Sequence, residues 1–161
     1  MKMQHFATKA LIVSIATSVL MMTAISQATD NHCSNATAAG KWGFTTNGTI
    51  PAIGPVGAVG TFSQDAAGNL VGIQTRSLNG SIAEETLTGN VTVNSDCTAT
   101  ATISVFESGT LVRITTLDVV YVHNVRDAHA IFTSLTLQPS GTRLPTVLTV
   151  ELKRLFPKDD D

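Results

Sequence analysis

The sequence predicts an all-β domain whose eight antiparallel strands close in up-and-down order into a barrel, and three observations lead there. From Trp42 onward Thr, Val, Ile and Leu dominate, and no helical period is visible. Gly, Asn, Asp, Ser and Pro recur between those runs at short intervals, as turn chemistry requires. Most connections are too short for a crossover, so successive strands must pair antiparallel with their neighbours.

The strands are expected at Lys41–Asn47, Val56–Gln64, Leu70–Leu78, Ile82–Val93, Cys97–Phe106, Thr110–Val122, His129–Leu137 and Thr146–Leu155. Asp65-Ala66-Ala67-Gly68-Asn69, Asn79-Gly80, Asn94-Ser95-Asp96 and Glu107-Ser108-Gly109 supply tight turns, Asn-Gly being the strongest hairpin dipeptide. Two connections read as looser, Ile50–Pro55 and Gln138–Pro145, each carrying two prolines. Eight such strands can close on themselves and remove their edges. A two-sheet β-sandwich is the alternative, but it needs longer Greek-key crossovers than these turns allow.

Alternation supports one dry face. In the fifth strand Cys97, Ala99, Ala101, Ile103 and Val105 point one way, and Thr98, Thr100, Thr102 and Ser104 the other. The sixth strand is apolar on both sides, with Val112, Ile114, Val120 and Val122 opposite Leu111, Leu117, Val119 and Tyr121. Either both faces are buried, the outer one against a second copy in a homo-oligomer, or a bulge near Leu117–Asp118 flips the register.

Residues 1–28 read as a secretory signal. Lys2 and Lys9 are the positive start, Ala10–Ile25 carries no charge, and Ser26-Gln27-Ala28 puts small residues where signal peptidase cuts. The apolar stretch is about 16 residues, short of the roughly 20 that span a bilayer. The expected product is secreted or periplasmic, with an extension over 29–40, a barrel over 41–156 and an acidic tail over 157–161. Removing residues 1–28 takes two of the 10 basic residues and none of the 12 acidic ones, moving the formal charge from −2 to −4. An acidic chain without basic clusters is a poor partner for nucleic acid, and no later segment is long and apolar enough to span a membrane.

Cys33 and Cys97 form an even pair in an exported chain, which favours a disulfide tying the N-terminal segment to the body. No Cys-x-x-Cys spacing points to redox chemistry, and neither a metal set nor a cofactor motif is present in the sequence. No nucleophile motif stands out. Four Asn-x-Ser/Thr sequons, at Asn35, Asn47, Asn79 and Asn90, are the kind that Thr-rich strands generate by chance.

Two segments could carry chemistry. Around the sixth turn, His123 or His129 could act as acid or base, with Asp127 orienting and Arg126 clamping an anion; the simpler reading is a solvated loop. Arg113 lies among apolar neighbours, sharing a face with Thr115 and Tyr121 if the register is regular. Inside a barrel it would need Glu84, Glu85 or Glu107 as a partner; the simpler placement is the outer face, its stem over apolar neighbours. Arg76 invites the same two readings.

Gly40-Lys41-Trp42 at the first strand and Lys153-Arg154 at the last resemble the calycin pattern, in which an indole floors the barrel beneath a basic residue. The resemblance implies structural roles for Trp42 and Arg154, a guanidinium over an indole gaining cation–π attraction. Gly57–Phe62, Asp65–Gly72 and Leu87–Thr100 resemble uncharacterised secreted proteins similar to the allene oxide cyclase barrel. That implies a calycin-like, lipocalin-like shell, and none of the cyclase's catalytic residues can be placed on this chain.

The expected function is binding of an apolar or amphipathic small molecule in the lumen, contacted by Arg113, Leu117, Tyr121, Phe132 and Phe62. Two alternatives differ in class. One is an isomerase or cyclase using Arg113, a carboxylate such as Glu84 and Tyr121; the other is a structural or surface-interaction protein with a packed barrel.

Overall fold

In a computed structural model that describes residues 33–156, eight strands form one closed antiparallel barrel in the order β1 to β8, with β8 returning to β1. They are β1 (Gly40–Ile50), β2 (Gly54–Gln64), β3 (Asn69–Leu78), β4 (Ser81–Val93), β5 (Thr98–Glu107), β6 (Thr110–Val122), β7 (Asp127–Leu137) and β8 (Val147–Leu155). Closure excludes the two-layer alternative. The signal reading over residues 1–28 and the tail at 157–161 lie outside the described residues.

The strands alternate apart from local bulges, and the inward set is mostly apolar. Trp42, Phe62, Leu70, Leu87, Val91, Ala101, Val105, Leu117, Val119, Tyr121, Ala130 and Val150 are all buried in one cluster. Inward glycines make room for the aromatic rings. A Cβ on Gly60 would stand 2.7 Å from the Phe44 ring and 2.3 Å from the Ile73 carbonyl, and one on Gly72 would stand 2.7 Å from the Phe62 Cβ. Any side chain there would expel Phe44 or Phe62 from the lumen.

A register shift does fall at Leu117, but its extra residue lies on β7, so β6 does not flip there, and a second shift lies further back on β6. On β6 the pairing with β5 passes from Val105↔Arg113 to Phe106↔Leu111, leaving Val112 unpaired. On the β7 side it passes from Thr116↔Ser134 to Leu117↔Phe132, so the extra residue is Thr133 on β7. Arg113, Thr115, Leu117, Val119 and Tyr121 therefore hold one uninterrupted inward face. On β7 the bulge switches the inward set from Ala128, Ala130 and Phe132 to Leu135.

One end of the barrel is closed by α1 (Asn35–Ala38), a single turn capped by Ser34. Ser34 and Thr37 bond each other's backbone amides reciprocally, which fixes the turn without a longer helix. The Cys33–Cys97 disulfide and the Asn35 side chain, which accepts from Val93 N and donates to the Ala67 carbonyl, pin it to the barrel. One expectation needs correction. The connection after β1 is tight, since Thr49 and Ile50 still pair with Pro55 and Gly54 and Ile53 N returns to the Ile50 carbonyl. Exposed large apolar residues on the outside include Val59 on β2, Val71 and Ile73 on β3, and Val120 on β6, where Asp118 is also exposed.

Candidate functional site: a lumen with a polar waist

The lumen holds two adjoining cavities. The deep one, about 100 Å³, runs from the floor upward between Phe62, Leu70, Leu87, Leu117 and Val150. The outer one, about 200 Å³, lies at the mouth among Ile50, Leu78, Leu135, Leu144 and Leu148. Both are lined by Thr46, Gln74, Arg113 and Phe132, which form the waist between them.

The waist is built on Glu85. Inward alternation on β4 buries its carboxylate, whose side chain is 0% exposed. Four donors converge on it. Arg113 Nη1 and Nη2 reach the two oxygens at 2.7 Å each, Arg76 Nε donates at 2.8 Å and Gln74 Nε2 at 2.6 Å. Gln74 faces Glu85 directly across the β3–β4 pairing, and Arg113 reaches over β5 from β6. Burial alone would raise the carboxyl, but the Arg113 bonds and charge, with the Arg76 and Gln74 bonds, outweigh it and bring the pKa down to about 2. Arg76 also lies 3.7 Å from Glu107, a half-exposed carboxylate at the rim. Inside the lumen, two guanidiniums thus share one buried carboxylate.

The floor is built on Trp42. Its indole is fully buried and donates from Nε1 to the Ala38 carbonyl at 3.0 Å. Arg154 lies beside it, the guanidinium carbon 5.2 Å from the ring centroid, and donates from Nη2 to the Thr37 carbonyl at 2.6 Å. Phe62 stacks at 6.4 Å and Tyr121 at 5.7 Å from the indole. Burial pushes the Tyr121 phenol up to about 12, a rise that the nearby Arg154 charge only partly opposes. Trp42 and Arg154 thus meet at the floor, the guanidinium over the indole.

Arg113, Leu117, Tyr121, Phe132 and Phe62 all line the deep cavity. Arg113 is on the inner face, not the outer one: regular alternation aims it inward and the buried Glu85 compensates its charge. Glu84 is corrected too. It is exposed on the outside of β4, because neighbouring residues on a strand face opposite ways, and Glu85 is the inward carboxylate. Tyr121 and Arg113 lie eight positions apart on β6, roughly 25 Å of extended chain, so they cannot converge on one reacting bond. Glu85, ionised and bonded four times over, is a counter-ion and not a free base.

The His123–Asp127 segment stays outside the lumen. Asp127 opens β7, and its Oδ2 lies 2.9 Å from His123 Nδ1, on a histidine whose side chain is 74% exposed. His129 is exposed on β7. His123, Asn124 and Val125 take consecutive positive φ values of 51°, 54° and 59°, a tight reversal that buries Val125. No group of three metal-ligating side chains exists among the described residues.

Sequence reasoning overlooks Gln64 and Gln74. The signal for Gln64 lies in the alternation of β2, where it falls on the same side as Ala58 and Phe62. Gln64 is 4% exposed, lines the deep cavity, and neither its amide nitrogen nor its oxygen has a hydrogen-bond partner among the described residues.

No protein-family model matches the chain, and no curated protein sequence matches it. Among solved structures, the barrel is similar to a redesigned β-barrel, mFAP1, solved bound to DFHBI, with 18% identity and a TM-score of 0.50 over 74% of this chain and 99% of that one. It also matches Rv2717c from M. tuberculosis at 17% identity and a TM-score of 0.39, over 75% of this chain and 94% of that one. At these identities the likeness is one of fold: the chain is a closed eight-stranded antiparallel barrel.

Proposed function

We propose that this barrel binds a small apolar or amphipathic molecule in its lumen, as an exported carrier of the calycin-like kind. The observation that carries the reading is an apolar lumen whose waist is set by the buried Arg113–Glu85 ion pair, with Arg76 held between Glu85 and Glu107. Apolar walls supply affinity, and a few placed polar groups fix orientation. The deep cavity alone is below the roughly 300 Å³ typical of drug-sized sites, and close in scale to the 150 Å³ cavity in which benzene binds. The occupant is accordingly about one or two rings in size, or a longer molecule passing the waist into the outer cavity. The mFAP1 β-barrel, solved bound to DFHBI, is a precedent for a barrel of similar fold holding a small molecule. A disulfide joining Cys33 to Cys97 suits an oxidising compartment and supports the export reading.

The test is native mass spectrometry on protein purified from its own host, beside an Ala101→Phe variant whose new ring fills the deep cavity. A small-molecule adduct that disappears in the variant is expected. If the wild type carries no adduct and takes up no neutral fluorescent probe, the carrier reading fails.

A further inference from the structure

We infer that Gln64 is a specificity-determining residue of the lumen, and that the buried end of its occupant carries a neutral group with an adjacent donor and acceptor, of the lactam, imide or primary-amide class. This rests on the carrier reading above.

Gln64 ends β2, opposite Gly40 on one side and Leu70 on the other, which places it at the floor end. Regular alternation with Phe62 turns it inward, and closure of the barrel buries it. At its end the cavity is lined by Phe62, Leu70, Leu87 and Val91, which carry no side-chain polar atom, and by Tyr121, whose phenol does not pair with Gln64. A carboxamide in such a wall has given up its bonds to water, and with Nε2 and Oε1 both unpartnered among the described residues it has regained nothing from the protein. The same chain satisfies Glu85 at the waist with four donors, so the contrast between the two ends is local.

The chemistry of the missing complement follows from that of the amide. A hydrocarbon would leave the nitrogen and oxygen bare. A carboxylate would answer only the nitrogen and leave Oε1 bare; the floor's own cation, Arg154, lies against Trp42 and does not line the deep cavity, and Arg113, which does, is engaged by Glu85 at the other end. A cis-amide answers both atoms at once, its carbonyl accepting from Nε2 while its N–H donates to Oε1. Its apolar ring would fill the space between Phe62 and Leu87.

The experiment compares oxindole, a bicyclic lactam, with indane, a hydrocarbon of the same skeleton, by ligand-observed NMR titration against the wild type, Gln64→Met and Gln64→Leu. The wild type should favour oxindole over indane, and both variants should lose that preference by about tenfold to a hundredfold, the worth of two hydrogen bonds. Indane affinity should hold or rise. Unliganded Gln64→Met should melt a few degrees higher, having lost two unpaired polar atoms. A lactam preference unchanged in both variants, or a lower melting temperature in both because a trapped water already satisfies the amide, would overturn the inference while leaving the carrier reading intact. If neither ring binds the wild type, this inference falls, while the carrier reading is decided separately by the adduct and probe test above.

Discussion

Arg113 grips Glu85 through two parallel hydrogen bonds of 2.7 Å, and the carboxylate it holds is wholly shielded from water. A pair so placed orders the lumen, since the guanidinium fork fixes the carboxylate plane and leaves Arg76 and Gln74 to complete it. Its net contribution to stability is small, because desolvation offsets most of the attraction. Breaking it is another matter.

Glu85→Ala should destabilise the barrel by about 3–5 kcal/mol, the cost of leaving the buried Arg113 guanidinium without its counter-charge. Urea denaturation measures it. Replacing Glu85, Arg76 and Arg113 together by Leu, Met and Met should recover most of that loss, as uncharged side chains of similar volume need no partner. A loss below about 1 kcal/mol in the single variant would mean that water reaches the waist.

The same carboxylate sets the acid limb of stability. Its pKa falls from 4.5 to about 2 on folding, so between those values the unfolded chain binds the extra proton. Stability is fully present above pH 4.5 and declines as pH falls toward 2, by about 3 kcal/mol for a shift of this size. Denaturant midpoints measured from pH 6 to pH 2 should show this fall, and Glu85→Gln should flatten it while lowering stability at neutral pH.

Tyr121 acts at the other extreme. Burial raises its phenol from 10.0 to about 12, so the folded barrel keeps a proton that the unfolded chain releases. Stability is present below pH 10 and is lost as pH rises toward 12, by about 2–3 kcal/mol. Tyr121→Phe should remove this alkaline dependence, read by circular dichroism across pH 9 to 12.

Reduction of Cys33–Cys97, or Cys33→Ser with Cys97→Ser, should cost about 4 kcal/mol, the chain-entropy value for a loop of this length. The floor should loosen first, because the disulfide anchors the turn that accepts the Trp42 and Arg154 hydrogen bonds. The molecule's single tryptophan reports it: emission should shift to the red on reduction. Unchanged emission with a lowered melting point would place the effect in the unfolded chain alone.

Strand order and closure were legible because they depend on local matters. Period-two alternation and turns such as Asn79-Gly80 leave a chain of tight hairpins little choice but to pair neighbour with neighbour. The Trp42–Arg154 pair came from the calycin resemblance of the first and last strands, not from strand pattern alone. The interior chemistry was not legible in the same way. Whether Arg113 points inward depends on register along β6, and the bulges at Val112 and Thr133 that set that register arise from pairing with neighbouring strands.

Which carboxylate meets Arg113 is likewise a question of two strands that do not touch. Glu84 and Glu85 differ by one residue in sequence and by opposite faces in space, and the curvature that closes the barrel brings β4 and β6 within reach across β5. Gln64 shows the same division. Alternation alone assigns it to the apolar side of β2, but only the closed wall reveals that no other side chain arrives to pair with it. Sequence by itself determined the strands, their order and the Cys33–Cys97 partnership, all of which follow from local pattern or from a count of two. Tertiary structure decided the waist and the unpaired amide, because long-range pairing selects which polar groups meet once water has been excluded.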